Sequence, residues 1–339
     1  MSAHNLQADI RIPLTILTGF LGSGKTTLLN RLVRDPVYAD AAVIINEFGE
    51  IGLDHHLVRG VQGRISLIEG GCICCTASGG VADALRDLFM AAVRRHIRPF
   101  RHVLVETTGL AGPAPLLFTL RHTPFLAERY VYRGTIAVAD AQHLPRQLEA
   151  QPEAVQQIAL ADVVAVGKAD LCSAGQVERT REAVLGINPG AVVSVLRQEG
   201  GLDASLRDAR REARSDAAGQ TGRWLGAFAR GVGRGAPHAG VSHAVLDMPR
   251  PIARWAFLAG MDALQARHGE ALLRIKGMVR FAGEAGACAV HGVHRQLYPL
   301  EPLPQAGGPD APPCLVFIMR GEQARDLLPE AVCLLGQEA

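Results

Sequence analysis

Eight residues, GFLGSGKT at positions 19–26, constrain this chain more than any other stretch. The pattern G-x-x-x-x-G-K-[ST] carries meaning only between a strand and a helix. Here it follows the apolar run LTILTG (14–19) and opens KTTLLNRLVRD (25–35), whose apolar residues recur at helical spacing. Gly19, Gly22 and Gly24 let the backbone curl until its N–H groups converge on phosphate oxygens, with Ser23 and Thr27 belonging to the same loop and helix start. The helix N-terminus adds partial positive charge. Lys25 is placed to span the β- and γ-phosphates, and the Thr26 hydroxyl to ligate Mg²⁺. The alternative, a glycine-rich turn without a ligand, is weakened by the strand-to-helix context. The spacing therefore predicts a nucleoside-triphosphate site.

A phosphate loop of this kind calls for a parallel sheet, and the patterning supplies one. AAVIINE (41–47), HVLVETTG (102–109), GTIAVADA (134–141), VVAVGKAD (163–170) and AVVSVL (191–196) read as further buried strands. Helix-like stretches such as GVADALRDLFMAAVRRH (80–96) separate them, the alternation of βαβ units. From Gly200 to Pro237 the chain turns polar and then glycine-rich, which reads as a fading helix and a flexible linker. Beyond it, 241–248, 272–281, 288–300 and 314–321 read as strands, and 252–269 and 322–336 as helices. The expected fold class is α/β: a P-loop NTPase with a mainly parallel sheet over residues 1–215, a linker over 216–236, and a smaller α+β domain over 237–339.

The next part of a phosphate site is an acid at the end of a neighbouring strand. HVLVETTG offers Glu106, placed to orient Mg²⁺ or the attacking water, and then Gly109, whose backbone is positioned to sense the γ-phosphate. VVAVGKAD ends in Lys168 and Asp170, two members of an N-K-x-D guanine motif in which Gly167 stands where Asn is usual. A carboxylate accepts from the guanine N1–H and exocyclic amine, which adenine does not offer, so the pattern favours GTP over ATP.

GGCICC (70–75) places three of seven cysteines within four positions. The first twenty residues lack a secretion-signal pattern, and the remaining four cysteines are scattered singly, so a disulfide framework is not expected. The chain reads as cytoplasmic, where thiols stay reduced. Metal binding, redox chemistry and a buried turn are the candidates, and the spacing is not the C-x-x-C of thiol oxidoreductases. On an extended segment Cys72 and Cys74 share a face and Cys75 points away. Two thiolates plus one or two further ligands suit a tetrahedral ion of soft to borderline character.

GFLGSGKTTLLN, NEFGEIGLD, GCICCT, ETTGLAGPAP, KADL and LLRIKG occur in one order along most of the chain. In this it resembles the CobW-like metallochaperone GTPases, relatives of the GTPases that insert nickel into urease and hydrogenase. The resemblance implies GTP hydrolysis coupled to delivery of Zn²⁺ or Co²⁺ to a client protein. It also implies metal ligands from Cys72, Cys74 and Cys75, with Glu47 or Glu50 of NEFGE as a helper. Two features depart from the family: Gly167, and the lack of a histidine-rich run, since the twelve histidines are dispersed.

The other residues take plainer readings. His55 and His56 read as solvated; His291 and His294 face opposite sides of a predicted strand and make a poor chelating pair. Cys172, Cys288, Cys314 and Cys333 read as core, and Trp224 and Trp255 as packing. Arg274 and Lys276 of LLRIKG have no evident task. A formal net charge of +2 gives no reason to expect nucleic acid or an anionic membrane, and no apolar run is long enough to span a bilayer. A homo-oligomer is compatible with the sequence. With no glutamine evident to position water, turnover should be slow. The competing functions are an ATP-dependent small-molecule kinase and a zinc-sensing or storage protein without turnover.

Overall fold

A computed structural model describes residues 10–45, 67–69, 80–197, 202, 204, 206–207, 240–303, 312–321 and 324–337. Seven strands build the first sheet: β1 (Ile12–Thr18), β2 (Ala41–Ile45), β3 (Leu67–Glu69), β4 (His102–Glu106), β5 (Tyr130–Asp140), β6 (Val163–Gly167) and β7 (Val192–Val195). Every pairing is parallel, in the order β3-β2-β4-β1-β5-β6-β7. Such a sheet needs cover on both faces, and β2, β4 and β6 are buried along their whole length.

The helices between the strands provide that cover. They are α1 (Lys25–Arg34), α2 (Gly80–Val93), α3 (Ala114–His122), α4 (Pro124–Arg129), α5 (Leu144–Ala150), α6 (Pro152–Leu160) and α7 (Ala174–Ile187). Side-chain alternation along β1 sends Leu14 and Ile16 into the core with α2, α3 and α4, and Leu17 into the core with α1. Leu202 and Leu206, four residues apart, join the α1 core, and Tyr38 donates to the Leu206 carbonyl at 2.9 Å. The polar stretch expected after Gly200 therefore begins as chain packed on the first domain.

The second sheet comprises β8 (Val241–Asp247), β9 (Leu272–Arg280), β10 (Ala287–Val293), β11 (Gln296–Leu297), β12 (Glu301–Pro302) and β13 (Cys314–Arg320), with α8 (Arg254–His268) and α9 (Ala324–Leu334). It is antiparallel, ordered β11-β10-β9-β13-β8, with β12 on β10. Alternation again decides the layers. Leu315, Phe317 and Met319 of β13 pack with Phe257 and Leu327 of α8 and α9, whereas Val316 and Ile318 join Ala154, Ile158, Val184 and Ile187 of α6 and α7. One apolar core thus runs through both domains, with α6 and α7 between the sheets. No helix among the described residues is long and apolar enough to cross a membrane.

Polar contacts fix the same junction, and they give LLRIKG its task. Arg274 donates Nη1 to the carbonyls of Ala159 (3.2 Å) and Ala161 (2.9 Å) at the end of α6, and Nη2 to Asp162 Oδ1 at 2.6 Å. Asn188 Nδ2 also donates to the carbonyls of Ile158, Ala159 and Ala161, so two of the orphan carbonyls of the helix end, Ile158 and Ala159, are satisfied. Asp162 also accepts from Thr135 N–H, Tyr132 Oη and, at 3.4 Å, Lys276 Nζ. Burial would raise the Asp162 carboxyl, but the Arg274 and Lys276 charges outweigh it and hold it well below the usual range. Arg274 takes up most of that one negative charge, and burial pushes Lys276 down to about 8.

Several sequence expectations need correction. The strands expected at 102–109 and 163–170 end earlier, at Glu106 and Gly167, because their last residues leave the ladder to form loops at the sheet edge; of the strand expected at 41–47, Asn46 and Glu47 lie outside the described residues. The strand expected over 288–300 breaks at a turn where His294 adopts φ 51°, so His294 does not lie on a strand with His291. Trp255 is 76% exposed rather than packed. Cys288 and Cys314 are buried, but Cys172 is half-buried and Cys333 exposed. Trp224 and the whole of the 216–236 linker lie outside the described residues.

Candidate nucleotide site

The C-terminal ends of β1, β4, β5 and β6 meet at one sheet edge, where ligands bind in open parallel sheets. The loop after β1 carries left-handed φ values at Gly22 (70°) and Gly24 (100°), and Gly24 starts α1 with no side-chain cap. The helix start is therefore left to backbone N–H groups. Ser23 N–H donates to the Phe20 carbonyl at 3.1 Å, closing the loop, and Ser23 Oγ is buried with no hydrogen-bond partner among the described residues. Lys25 is buried, and its Nζ reaches back over the loop to the Phe20 carbonyl at 3.5 Å. Thr27 follows on α1.

Glu106 ends β4 directly beside β1, in register with Leu17. Thr26 Oγ1 donates to Glu106 Oε1 at 2.8 Å, so residues 80 positions apart present two oxygens at the mouth of the loop. The chain then turns back on the phosphate loop. Thr107 N–H donates to the Leu17 carbonyl at 2.9 Å, and Thr107 Oγ1 to Thr18 Oγ1 at 3.0 Å. Gly109 sits so close to Leu21 that an added Cβ would lie 2.8 Å from its backbone. Gln157 of α6, fully buried, donates Nε2 to the carbonyls of Gly109 (3.1 Å) and Ala111 (3.2 Å).

At the ends of β5 and β6, Lys168 adopts φ 56° and donates Nζ to Asp140 Oδ2 at 2.8 Å. Asp140 also accepts from His143 Nδ1 and Gln142 N–H; these bonds outweigh the effect of burial and lower its carboxyl pKa. Asp170 follows in an exposed helical turn. Gly167 is buried beside the phosphate loop, and a Cβ there would meet the Ser23 carbonyl at 3.4 Å, an ordinary contact.

The structure thus brings Gly19, Gly22, Ser23, Gly24, Lys25, Thr26, Glu106, Gly109, Gly167 and Lys168 to one edge. Sequence reasoning missed Asp140 and Gln157. The rule that singled out Glu106, a carboxylate ending an apolar strand, applies equally to Asp140; nothing local marks Gln157. Cys72, Cys74, Cys75, Glu47 and Glu50, the expected metal ligands, lie outside the described residues, as do His55 and His56. Among the described residues no group of three or more His, Cys, Asp or Glu side chains is arranged to hold a metal ion.

Two family models match. The one described as CobW/HypB/UreG, nucleotide-binding domain, covers residues 13–195, and the cobalamin synthesis protein cobW C-terminal domain covers 241–331. The zinc chaperone YjiA of Escherichia coli is 37% identical over 195 residues, covering 58% of this chain and 60% of that protein. The zinc chaperone CobW of Pseudomonas aeruginosa is 32% identical over 223 residues, covering 57% and 58%. These matches span less than two thirds of either relative. The crystal structure of Zn(II)-bound YjiA GTPase from E. coli superposes with a TM-score of 0.66 at 27% identity, over 96% of this chain and 99% of that one.

Proposed function

The chain belongs to the CobW/HypB/UreG family, and we propose that it is a GTP-hydrolysing metallochaperone whose cargo is Zn²⁺ or Co²⁺. The observation that carries the reading is the 2.8 Å contact between Thr26 and Glu106 at the mouth of the phosphate loop. Two hard oxygen donors on adjacent elements suit Mg²⁺. Bound with the nucleotide, that ion would supply positive charge to the phosphates. Lys25 and the loop N–H groups take the developing charge on the transferring phosphoryl group. Gly109, held between Leu21 and Gln157, presents backbone where the γ-phosphate would lie. Asp170 accepts from guanine at the exposed end of β6, and Lys168, anchored on Asp140, packs its stem over the base.

The cargo would be held by Cys72, Cys74 and Cys75, with Glu47 or Glu50 completing the shell, and passed to a client protein. Zn²⁺ comes first because the relatives YjiA and CobW are named zinc chaperones. The reading is tested by phosphate release from GTP and from ATP with Mg²⁺. Slow turnover of GTP, lost in Glu106→Gln and Thr26→Ala, is the expected result. Equal turnover of ATP, or transfer of the phosphoryl group to a small molecule rather than water, would overturn it.

A further inference from the structure

Gln156 of α6 touches both the segment that follows Glu106 and the C-terminal domain. The segment that leaves Glu106 passes Gly109, seated on Leu21 of the phosphate loop, and reaches Gly112, seated on Gln156 of α6. The second contact is so close that a Cβ on Gly112 would lie 2.2 Å from Gln156 Oε1 and 2.8 Å from Gln156 Cδ. The same carboxamide bonds in the opposite direction: its Nε2 lies 2.6 Å from His294 Nε2 of the C-terminal domain. The amide donates, so the imidazole accepts at Nε2 and carries its proton on Nδ1, which faces the Gly269 carbonyl at 3.3 Å.

His294 is tied into the C-terminal domain through its own backbone. Its N–H donates to the Leu272 carbonyl at 3.0 Å, and its own carbonyl accepts from Gln265 of α8 at 3.0 Å. It occupies the left-handed region at φ 51°, in the turn that joins β10 to β11. Beside the contact lies a cavity of about 290 Å³ between the domains, with Pro115, Phe118, Val293 and Tyr298 in its walls. Gln156 and Gly112 line it too.

We propose that Gln156 is a positioning residue through which His294 and the C-terminal domain set the loop 107–112 that follows Glu106. The inference rests on the reading above, in which that loop lies against the γ-phosphate. A γ-phosphate that draws the loop toward the phosphate site displaces Gly112 from Gln156, and the Gln156–His294 bond then favours one nucleotide state over the other. Coupling of this kind is reciprocal: the C-terminal domain must bias the preference for GTP over GDP by the factor with which nucleotide biases the domain.

The test uses the full chain and the affinity ratio of a non-hydrolysable GTP analogue to GDP. Gln156→Ala and His294→Asn (Asn tolerates the left-handed backbone) should each shift that ratio by about fivefold or more. The double variant should shift it no further than either single one, because both remove the same bond. Thermal unfolding separates this from a packing role, which would lower the midpoint and leave the ratio as it was. Hydrogen exchange on the unaltered protein is an independent arm: amides around His294 and Leu272 should change protection between the two nucleotides. Ratios within twofold of the unaltered protein in variants that unfold cooperatively, or identical exchange with both nucleotides, would overturn the inference. A protein that binds neither guanine nucleotide would sink the reading of the site itself, and the inference with it.

Discussion

At the scale of single residues, the base pocket and the cysteine motif carry separate predictions. In the proposed base pocket Asp170→Ala would leave two guanine donors without their acceptor, and GTP should bind about 1–3 kcal/mol more weakly, measured by titration against ATP as reference. Gly167→Asn works in the opposite direction. A Cβ at Gly167 meets the Ser23 carbonyl at 3.4 Å, so the Asn amide would lie where it can donate to that carbonyl and stiffen the loop. Tighter GTP binding is expected, and weaker binding would mean that the base edge differs from a guanine pocket. Cys72→Ala and Cys74→Ala should each remove the thiolate-to-metal absorption of a Co²⁺ complex, and Cys75→Ala should do less. Undiminished absorption in the double Cys72, Cys74 variant would take the cluster out of the metal site.

At the scale of elements, α6 is the part on which most depends, because it contacts both domains. Its last carbonyls are capped by Arg274 from the second sheet, next to an Asp162 side chain that is only 28% exposed. Arg274→Ala removes the partner of a mostly buried charge and should cost about 3–5 kcal/mol in denaturant unfolding. Lys276→Met should behave differently. Burial lowers the Lys276 pKa to about 8 from an unfolded value near ~10.4, so its charged form is disfavoured in the folded state. Stability should therefore fall as pH drops from ~10.4 through 8, and Lys276→Met should flatten that slope and stabilise the protein at neutral pH. A variant that is less stable at pH 7 would mean that the ammonium is worth keeping charged. Much of this architecture was legible in the sequence: the strand-to-helix setting of the phosphate loop, Glu106 at the end of its strand and three of the second domain's strands, β8, β9 and β13, follow from period and context. The junction was not. Arg274 and Lys276 look like ordinary polar positions of a strand, and only the register of β9 against α6 brings them to Asp162. Trp255 was misread for a related reason, since aromatic identity says nothing about which face of α8 meets the sheet.

At the scale of the whole molecule, one core runs from the nucleotide-bearing sheet through α6 and α7 to the second sheet. A change at the phosphate edge therefore has a packed route to the C-terminal domain. The segment holding Cys72, Cys74 and Cys75 lies in sequence between the phosphate loop and Glu106, the interval in which γ-phosphate-responsive switches occur in P-loop GTPases. If GTP and Mg²⁺ draw that segment into a ligating arrangement, the cysteines grip metal in the GTP state and release it after hydrolysis. Lys25→Ala should erase the nucleotide effect while weak thiolate binding persists. The most direct measurement is a metal competition titration with Zn²⁺ on the purified full chain, carried out with a non-hydrolysable GTP analogue, with GDP and with no nucleotide. Affinity should be highest with the GTP analogue, by a factor of about 5–150, and GTP should in turn bind more tightly to the metal-loaded protein by that same factor. Equal Zn²⁺ affinities in all three conditions would contradict the metallochaperone mechanism even if both ligands bind.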